Sequence, residues 1–317
     1  MTEPLLLQAE LHEKMWGGTA LADFGFDLPS DHTGEAWVIA AHQNGQSTVI
    51  NGEFAGQTLG ELWEKQPELF GGHVAGEAFP LLIKILDAND DLSIQVHPDD
   101  AYARTHGDNY GKTESWYILS AQPGAKLYYG HSAQTREELA EAVKNGHIDD
   151  VLKTVDVHAG DFFYVPAGTL HALGAGVLAL ETQQSSDLTY RFYDFDRVDA
   201  TTGQTRDLQI DQAVEVTTVP DDLPKLSPKI TEETNAKITQ LVAAQYFTVN
   251  KLDITGHATF TKTQPYTLQT VIDGAGELQV DNQSYTLKKG TSFLLPVGIS
   301  DYALVGDLTL IQSFVTE

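Results

Sequence analysis

Two stretches share one pattern: GDFFYVPAGTLH at residues 160–171 and GTSFLLPVGISD at residues 290–301. Each runs glycine, five residues, proline, one residue, glycine, two residues and then a polar position. The glycine opens a turn, the apolar and aromatic residues after it read as a strand with a buried face, and Pro-x-Gly makes a corner that ends the strand. The side chain just past that corner stands at the mouth of a barrel: His171 in the first copy, Asp301 in the second. A repeat of this kind implies two units built on one plan.

Outward from these stretches, most of the 317 residues fall into short β-branched and aromatic runs punctuated by Gly, Pro and Asp, which is the all-β signature. Two helices are predicted. Thr58 and Glu61 form a capping-box pattern opening LGELWEKQ, with Pro67 closing it. Thr135 and Glu138 open a second, EELAEAVKNG, with Leu139, Ala142 and Val143 on one face and Gly146 as its stop. Both read as packing elements over a sheet. Residues 219–236, VPDDLPKLSPKITEETNA, hold three prolines, many charges and no sustained period, so they read as a surface linker. The expected organisation is an N-terminal catalytic barrel at 1–218, the linker, and a C-terminal barrel at 237–317.

Composition narrows the function. There are no cysteines, which excludes disulfides and thiolate metal sites. The start lacks the basic head, long apolar stretch and cleavage site of a signal peptide, and the longest apolar run, LGAGVLAL at 173–180, is too short to span a bilayer. The cytoplasm is the expected location. With 45 acidic and 19 basic residues the formal net charge is −26, a field that repels nucleic acid and anionic lipid. An anionic ligand would need a local positive cluster, so the few arginines and lysines become informative.

Strand alternation assembles such a cluster. In LSIQVHP (92–98), Gln95 and His97 fall on one face, with Ile94 and Val96 on the other. In KTESW (112–116), Lys112 and Glu114 share a face. With His171 the set is Gln, His, Glu, His: nitrogen and oxygen ligands suited to zinc or another borderline divalent ion. The other nine histidines have no such framing and are assigned to surface or packing.

The repeated pattern resembles the second sequence motif of the cupin superfamily, whose last residue is a metal-binding histidine. By that resemblance both units are cupin-type jelly-roll barrels, and the second, with Asp301 in the ligand position and no histidine in VIDGAGELQVDNQ upstream, is a degenerate barrel without metal. The segments LSIQVHPDD, GKTESWYIL, DFFYVPAGTLHALGAG and LETQQSSDLTYRFYDFDR, with the early MWGGTAL, are similar to those of type I phosphomannose isomerases, closest to the short bacterial form, over most of the first 200 residues. The resemblance implies one zinc ion per chain at Gln95, His97, Glu114 and His171. It makes Arg191 the active-site arginine and Arg197 a second basic position where many relatives carry lysine, and it gives Lys112 as the lysine two residues before the glutamate ligand.

The implied reaction is the interconversion of mannose 6-phosphate and fructose 6-phosphate through an enediol. Arg191 would stabilise the enediolate. Ser93, Lys112 and Arg197 would hold the phosphosugar, and Glu181 is a candidate for the general base or for an anchor behind the ligands. The residues agree independently in one respect: Thr189, Arg191 and Tyr193 alternate onto one strand face. Two rival readings remain, a metal-dependent cupin enzyme of another kind, such as an oxygenase, and a non-catalytic phosphosugar sensor. Gln95 with Lys112 and Arg191 favours the phosphosugar over oxygenase chemistry.

Overall fold

A computed structural model describes residues 3–198 and 203–316. Among them the strands form one five-stranded, one six-stranded and one nine-stranded sheet, plus a hairpin of two-residue strands. The first barrel is made of two of these. The five-stranded sheet runs in the order Leu152–Asp156, Lys126–His131, His171–Leu173, Ile94–Val96, Tyr190–Tyr193. Facing it, the six-stranded sheet runs Phe162–Val165, Glu114–Ala121, Val177–Gln184, Leu81–Ala88, Thr33–Ile39, Glu10–Gly18. Every pairing is antiparallel, and the pleat of each strand alternates its side chains between two environments. Ala179, Trp116 and Ile118 point into the barrel against Ile94, Val96 and Leu173. From the same strands Leu178, Leu180 and Tyr117 point out into a second core with Phe247, Val249 and Ile311. A sheet buried on both faces explains why Leu81–Ala88 and Val177–Gln184 are buried at every position.

The nine-stranded sheet belongs to the C-terminal half. Its long strands Phe247–Thr261, Thr267–Val280 and Asp301–Val315 carry residues both to that shared core and to an interior of their own, where Leu252, Val271, Leu278, Leu304 and Leu310 meet. The repeat is structural as well as textual. In each copy a strand begins two residues after the glycine and ends five after it, and the next begins at the terminal position: Phe162–Val165 then His171–Leu173, and Ser292–Leu295 then Asp301–Val315. Gly160 and Gly290 have φ of 94° and 89°, a conformation that favours glycine. At the first corner Gly168, φ 87°, donates its N–H to the His97 carbonyl, and a Cβ there would sit 2.4 Å from the Thr218 hydroxyl.

Two boundaries differ from the sequence expectation. Leu5–Gln8 pairs with Ser292–Leu295, so the start of the chain is a strand of the C-terminal sheet and lies outside the first barrel. Leu5 and Leu7 enter the shared core while Leu6 packs on the C-terminal interior. A strand apolar on both faces needs cover on both, and the space between the two barrels supplies it. In the presumed linker, Lys229–Glu233 forms an edge strand against Ala236–Ala243. All five of its residues are exposed, so it has no buried face to leave a period in the sequence.

Both predicted helices are present. Leu59–Lys65 has its full capping box: Glu61 N–H donates to Thr58 Oγ1 (3.2 Å) and Thr58 N–H to Glu61 Oε2 (3.0 Å). Arg136–Lys144 is capped by Thr135 and buries Leu139. Asp100–Thr105 and Ile210–Val216 are further short helices. Among the described residues no helix is long and apolar enough to cross a membrane.

Candidate active site

The register of the two sheets builds the site. On the five-stranded sheet Gln95 lies between His171 and Arg191, its direct partners on the flanking strands. On the six-stranded sheet Glu181 lies between Trp116 and Lys84, and Lys84 is next to Trp37. These two rows of mostly polar side chains contribute to one cavity of about 160 Å³, whose lining includes Ser93, Gln95, Lys112, Glu181 and Arg191. Ser93 Oγ donates to Gln95 Oε1 at 3.3 Å and so orients that amide.

His97, Glu114 and His171 are buried with their ligand atoms all within 4.8 Å of one another. His97 Nε2 lies 3.3 Å from one oxygen of Glu114 and His171 Nε2 lies 3.2 Å from the other. Each ring is fixed from behind, by Nδ1 contacts of 2.8 Å to the carbonyls of Leu188 and Thr169. An Nδ1–H donated to a carbonyl leaves Nε2 with a lone pair. Both imidazoles therefore present lone pairs to a carboxylate that presents its own, and His171 Nε2 and Glu114 Oε1 have no hydrogen-bond partner. Such an arrangement costs free energy unless a cation sits among the donors, and carbonyl-anchored imidazoles are what a metal site uses to fix its ligands. The donor set fits a divalent ion.

Lys112 donates to Glu114 Oε2 and to His97 Nε2, the latter at 3.0 Å. Burial alone would raise the Glu114 pKa, but the Lys112 ammonium beside it outweighs that and holds the carboxyl well below the usual carboxylate range. Burial, then Lys112, push His97 down to about 3, so its ring is neutral at pH 7. Glu181 goes the other way. Burial and the Glu114 charge raise it to about 7 despite Lys112 at 4.0 Å and Lys84 at 3.8 Å. Its Oε1 also accepts from Trp116 Nε1 at 3.0 Å.

Several cavity residues lay outside the sequence reading: Lys84, Glu35, Asp187 and Arg206. Lys84 is only 3% exposed. Burial would lower its pKa, but Glu35 and Glu181 more than offset that and raise it. Glu35, bridged by Lys14 at 3.2 Å and Lys84 at 3.5 Å, receives the Trp37 indole N–H at 2.6 Å. Burial pushes the Glu35 carboxyl up, and the two lysines pull it further down, so it is an anion in the folded state. Arg197, an expected substrate ligand, does not line the cavity. Its guanidinium is turned to the Asp194 carboxylate and the Asp91 carbonyl and lies 5.3 Å over the Phe195 ring.

Comparison with known proteins gives the same picture. The family model for the phosphomannose isomerase type I catalytic domain matches residues 5–125, and that for the mannose-6-phosphate isomerase cupin domain matches 237–315. Mannose-6-phosphate isomerase ManA of Bacillus subtilis is 48% identical over 306 residues, covering 96% of each chain. The mannose-6-phosphate isomerase of Streptococcus mutans is 47% identical over 318 residues and the full length of both. The crystal structure of the mannose 6-phosphate isomerase from Bacillus subtilis superposes with a TM-score of 0.96 at 44% identity, covering 99% of this chain and 100% of that one. With its two matched domains, full-length relatives and superposable fold, the chain belongs to the type I phosphomannose isomerase family.

Proposed function

We propose that this enzyme is a mannose-6-phosphate isomerase and that it interconverts mannose 6-phosphate and fructose 6-phosphate in the cavity of the first barrel. The observation that carries the site assignment is one juxtaposition: the His97–Glu114–His171 ligand set lies against Lys112, whose ammonium is 4.0 Å from the carboxylate of Glu181.

In the forward direction a base takes the proton from C2 of the open-chain aldose. The C1–C2 double bond of an enediol forms as the C1=O π pair moves onto O1 and is protonated there. Return of a proton to C1 with loss of the O2 proton makes the C2 ketone. Glu181 suits both halves of that exchange. A carboxyl whose pKa is about 7 gives up and accepts a proton at little cost near neutral pH. Lys112 and Arg191, both lining the cavity, place positive charge where the enediolate oxygens develop negative charge. Ser93 and Gln95 offer hydroxyl and amide groups to the sugar. Zinc is the ion proposed for the cluster, held by Gln95, His97, Glu114 and His171; when bound it polarises sugar hydroxyl and carbonyl oxygens.

The C-terminal barrel is proposed to hold no metal. What supports this is register: Thr267 lies opposite Leu295 just as Glu114 lies opposite Val165, so a hydroxyl stands where the first barrel has its glutamate. Asp301 stands at the position of His171, is exposed, and accepts from Thr261 Oγ1 at 2.7 Å.

The test is turnover of mannose 6-phosphate in D₂O. Deuterium appearing at C1 of fructose 6-phosphate supports proton exchange through the enediol. Turnover in which the C2 hydrogen is retained in full at C1 counts against an exchanging base, and no turnover by metal-replete enzyme refutes the assignment.

A further inference from the structure

The geometry points to Arg206, with Arg191, as the pair that receives the phosphate of the substrate, an assignment that rests on the isomerase reading and adds to it a residue outside the recognised motifs. Five cations line the cavity: Lys14, Lys84, Lys112, Arg191 and Arg206. The lysines are engaged within it. Lys14 and Lys84 bridge Glu35, Lys84 also approaches Glu181, and Lys112 is bound to Glu114. The arginine end is different.

Arg191, which feels the charges of Arg206, Asp194 and Asp187 without pairing with any of them, stands near a buried carboxylate, that of Asp194, on which Arg197 and Arg206 converge. That carboxylate accepts from Arg206 Nε at 2.7 Å and Nη2 at 2.5 Å and from Arg197 Nη2 at 2.5 Å. Arg191 makes no ion pair among the described residues, and its Nε is buried with no hydrogen-bond partner. Burial, then the positive charge of Arg206, weaken its hold on its own proton. Two neighbouring guanidiniums with too little countercharge form a site for a dianion, and a phosphate satisfies several planar donors at once. Arg197 cannot fill this role from where it stands, because its head is turned out of the cavity to Asp91 and Phe195.

The backbone supports the placement. Gln209 N–H donates to the Arg191 carbonyl at 3.0 Å and its Oε1 accepts from Arg191 N–H at 3.2 Å. That clamp ties the segment carrying Arg206 to the strand carrying Arg191. The Asp194 fork holds the Arg206 guanidinium in place before substrate arrives, so little side-chain entropy is lost on binding.

The experiment compares Arg206→Ala, Arg206→Lys and Arg197→Ala in the metal-replete enzyme. It reads kcat and KM for mannose 6-phosphate, and calorimetric binding of inorganic phosphate. A hydrogen-bonded charge lost from ground state and transition state alike raises KM. Arg206→Ala should raise KM and the phosphate Kd together by about ten- to a hundredfold with kcat within about threefold, Arg206→Lys should recover part of the loss, and Arg197→Ala should leave phosphate affinity within about twofold. A merely structural arginine would lower Tm and kcat without moving phosphate affinity. That result, or a larger phosphate effect from Arg197→Ala, overturns the inference. If Arg206→Ala does not fold, Arg206→Gln, which keeps an amide donor for Asp194, takes its place under the same criteria. Phosphate binding that needs Arg206 in a wild-type enzyme without isomerase activity would uphold the site and refute the proposed substrate.

Discussion

Glu181 and Lys84 face each other on neighbouring antiparallel strands, with carboxylate oxygen and ammonium nitrogen 3.8 Å apart and both side chains about 4% exposed. The pair is unequal. Lys84 has a second carboxylate in Glu35 and stays charged, whereas Glu181, buried and facing Glu114, has a pKa raised to about 7. Environments that push titratable neighbours apart in this way mark acid–base assignments. As the base, Glu181 must be ionised, so kcat/KM for mannose 6-phosphate should rise with pH through about 7 and level off above it. Glu181→Gln should lower kcat by about 10²–10⁴ and remove that limb while leaving metal content unchanged. A full pH limb in the variant would assign it to another group.

Arg191 is predicted to act in the chemical step as well as at the phosphate. Loss of one preorganised donor to the enediolate should lower kcat by about 10²–10³ in Arg191→Ala, at fixed metal occupancy. Steady-state kinetics at saturating mannose 6-phosphate checks this. A rise in KM with kcat retained would make the arginine a phosphate ligand only.

The Glu35 bridge predicts an acid-sensitive stability. The folded pKa of Glu35 is depressed, because Lys84 and Lys14 outweigh the burial that opposes them. A depressed carboxylate contributes stability that is present above its unfolded pKa, near 4.5, and lost as pH falls toward the folded value. Glu35→Gln leaves Lys84 buried with one partner fewer and should cost about 3 kcal/mol at neutral pH. It should also flatten the fall of Tm below about pH 5. Thermal melts of wild type and variant from pH 3 to 8 test this, and parallel curves would contradict it.

Asp301→Ala should leave turnover within about threefold, because the second barrel contributes packing to the shared core and, among the described residues, no group to the cavity. Asp301→His should not create a second metal site, since Thr267 stands where a glutamate would be needed. Elemental analysis giving two metals per chain in Asp301→His would contradict the reading.

How far the sequence predicted this structure depended on whether a residue sat in a regular frame. His171 could be placed because Pro-x-Gly fixes where the next side chain points, and Gln95, His97 and Glu114 because strand alternation assigns a face. Lys84 and Glu35 carry a usable signal in the sequence: a lysine inside LLIKILDA and a glutamate inside TGEAWVI, each in a strand buried at every position. A charge in such a strand must be paired or functional. Arg206 left none, because it sits on an irregular segment whose position is set by Asp194 and Gln209, contacts with no period in the text. The strand Leu5–Gln8 was lost for a related reason: three leucines in a row show no alternation when both faces are covered.

The His97–Glu114–His171 cluster is proposed to hold the metal on which turnover depends. This is tested most directly by assaying mannose 6-phosphate turnover in wild type and His171→Ala after chelation and after stepwise return of zinc. Stripped wild type should be inactive and recover fully at one zinc per chain, while His171→Ala should bind zinc weakly and not recover. Full activity in the stripped wild-type enzyme, or recovery of His171→Ala at one equivalent, would contradict it.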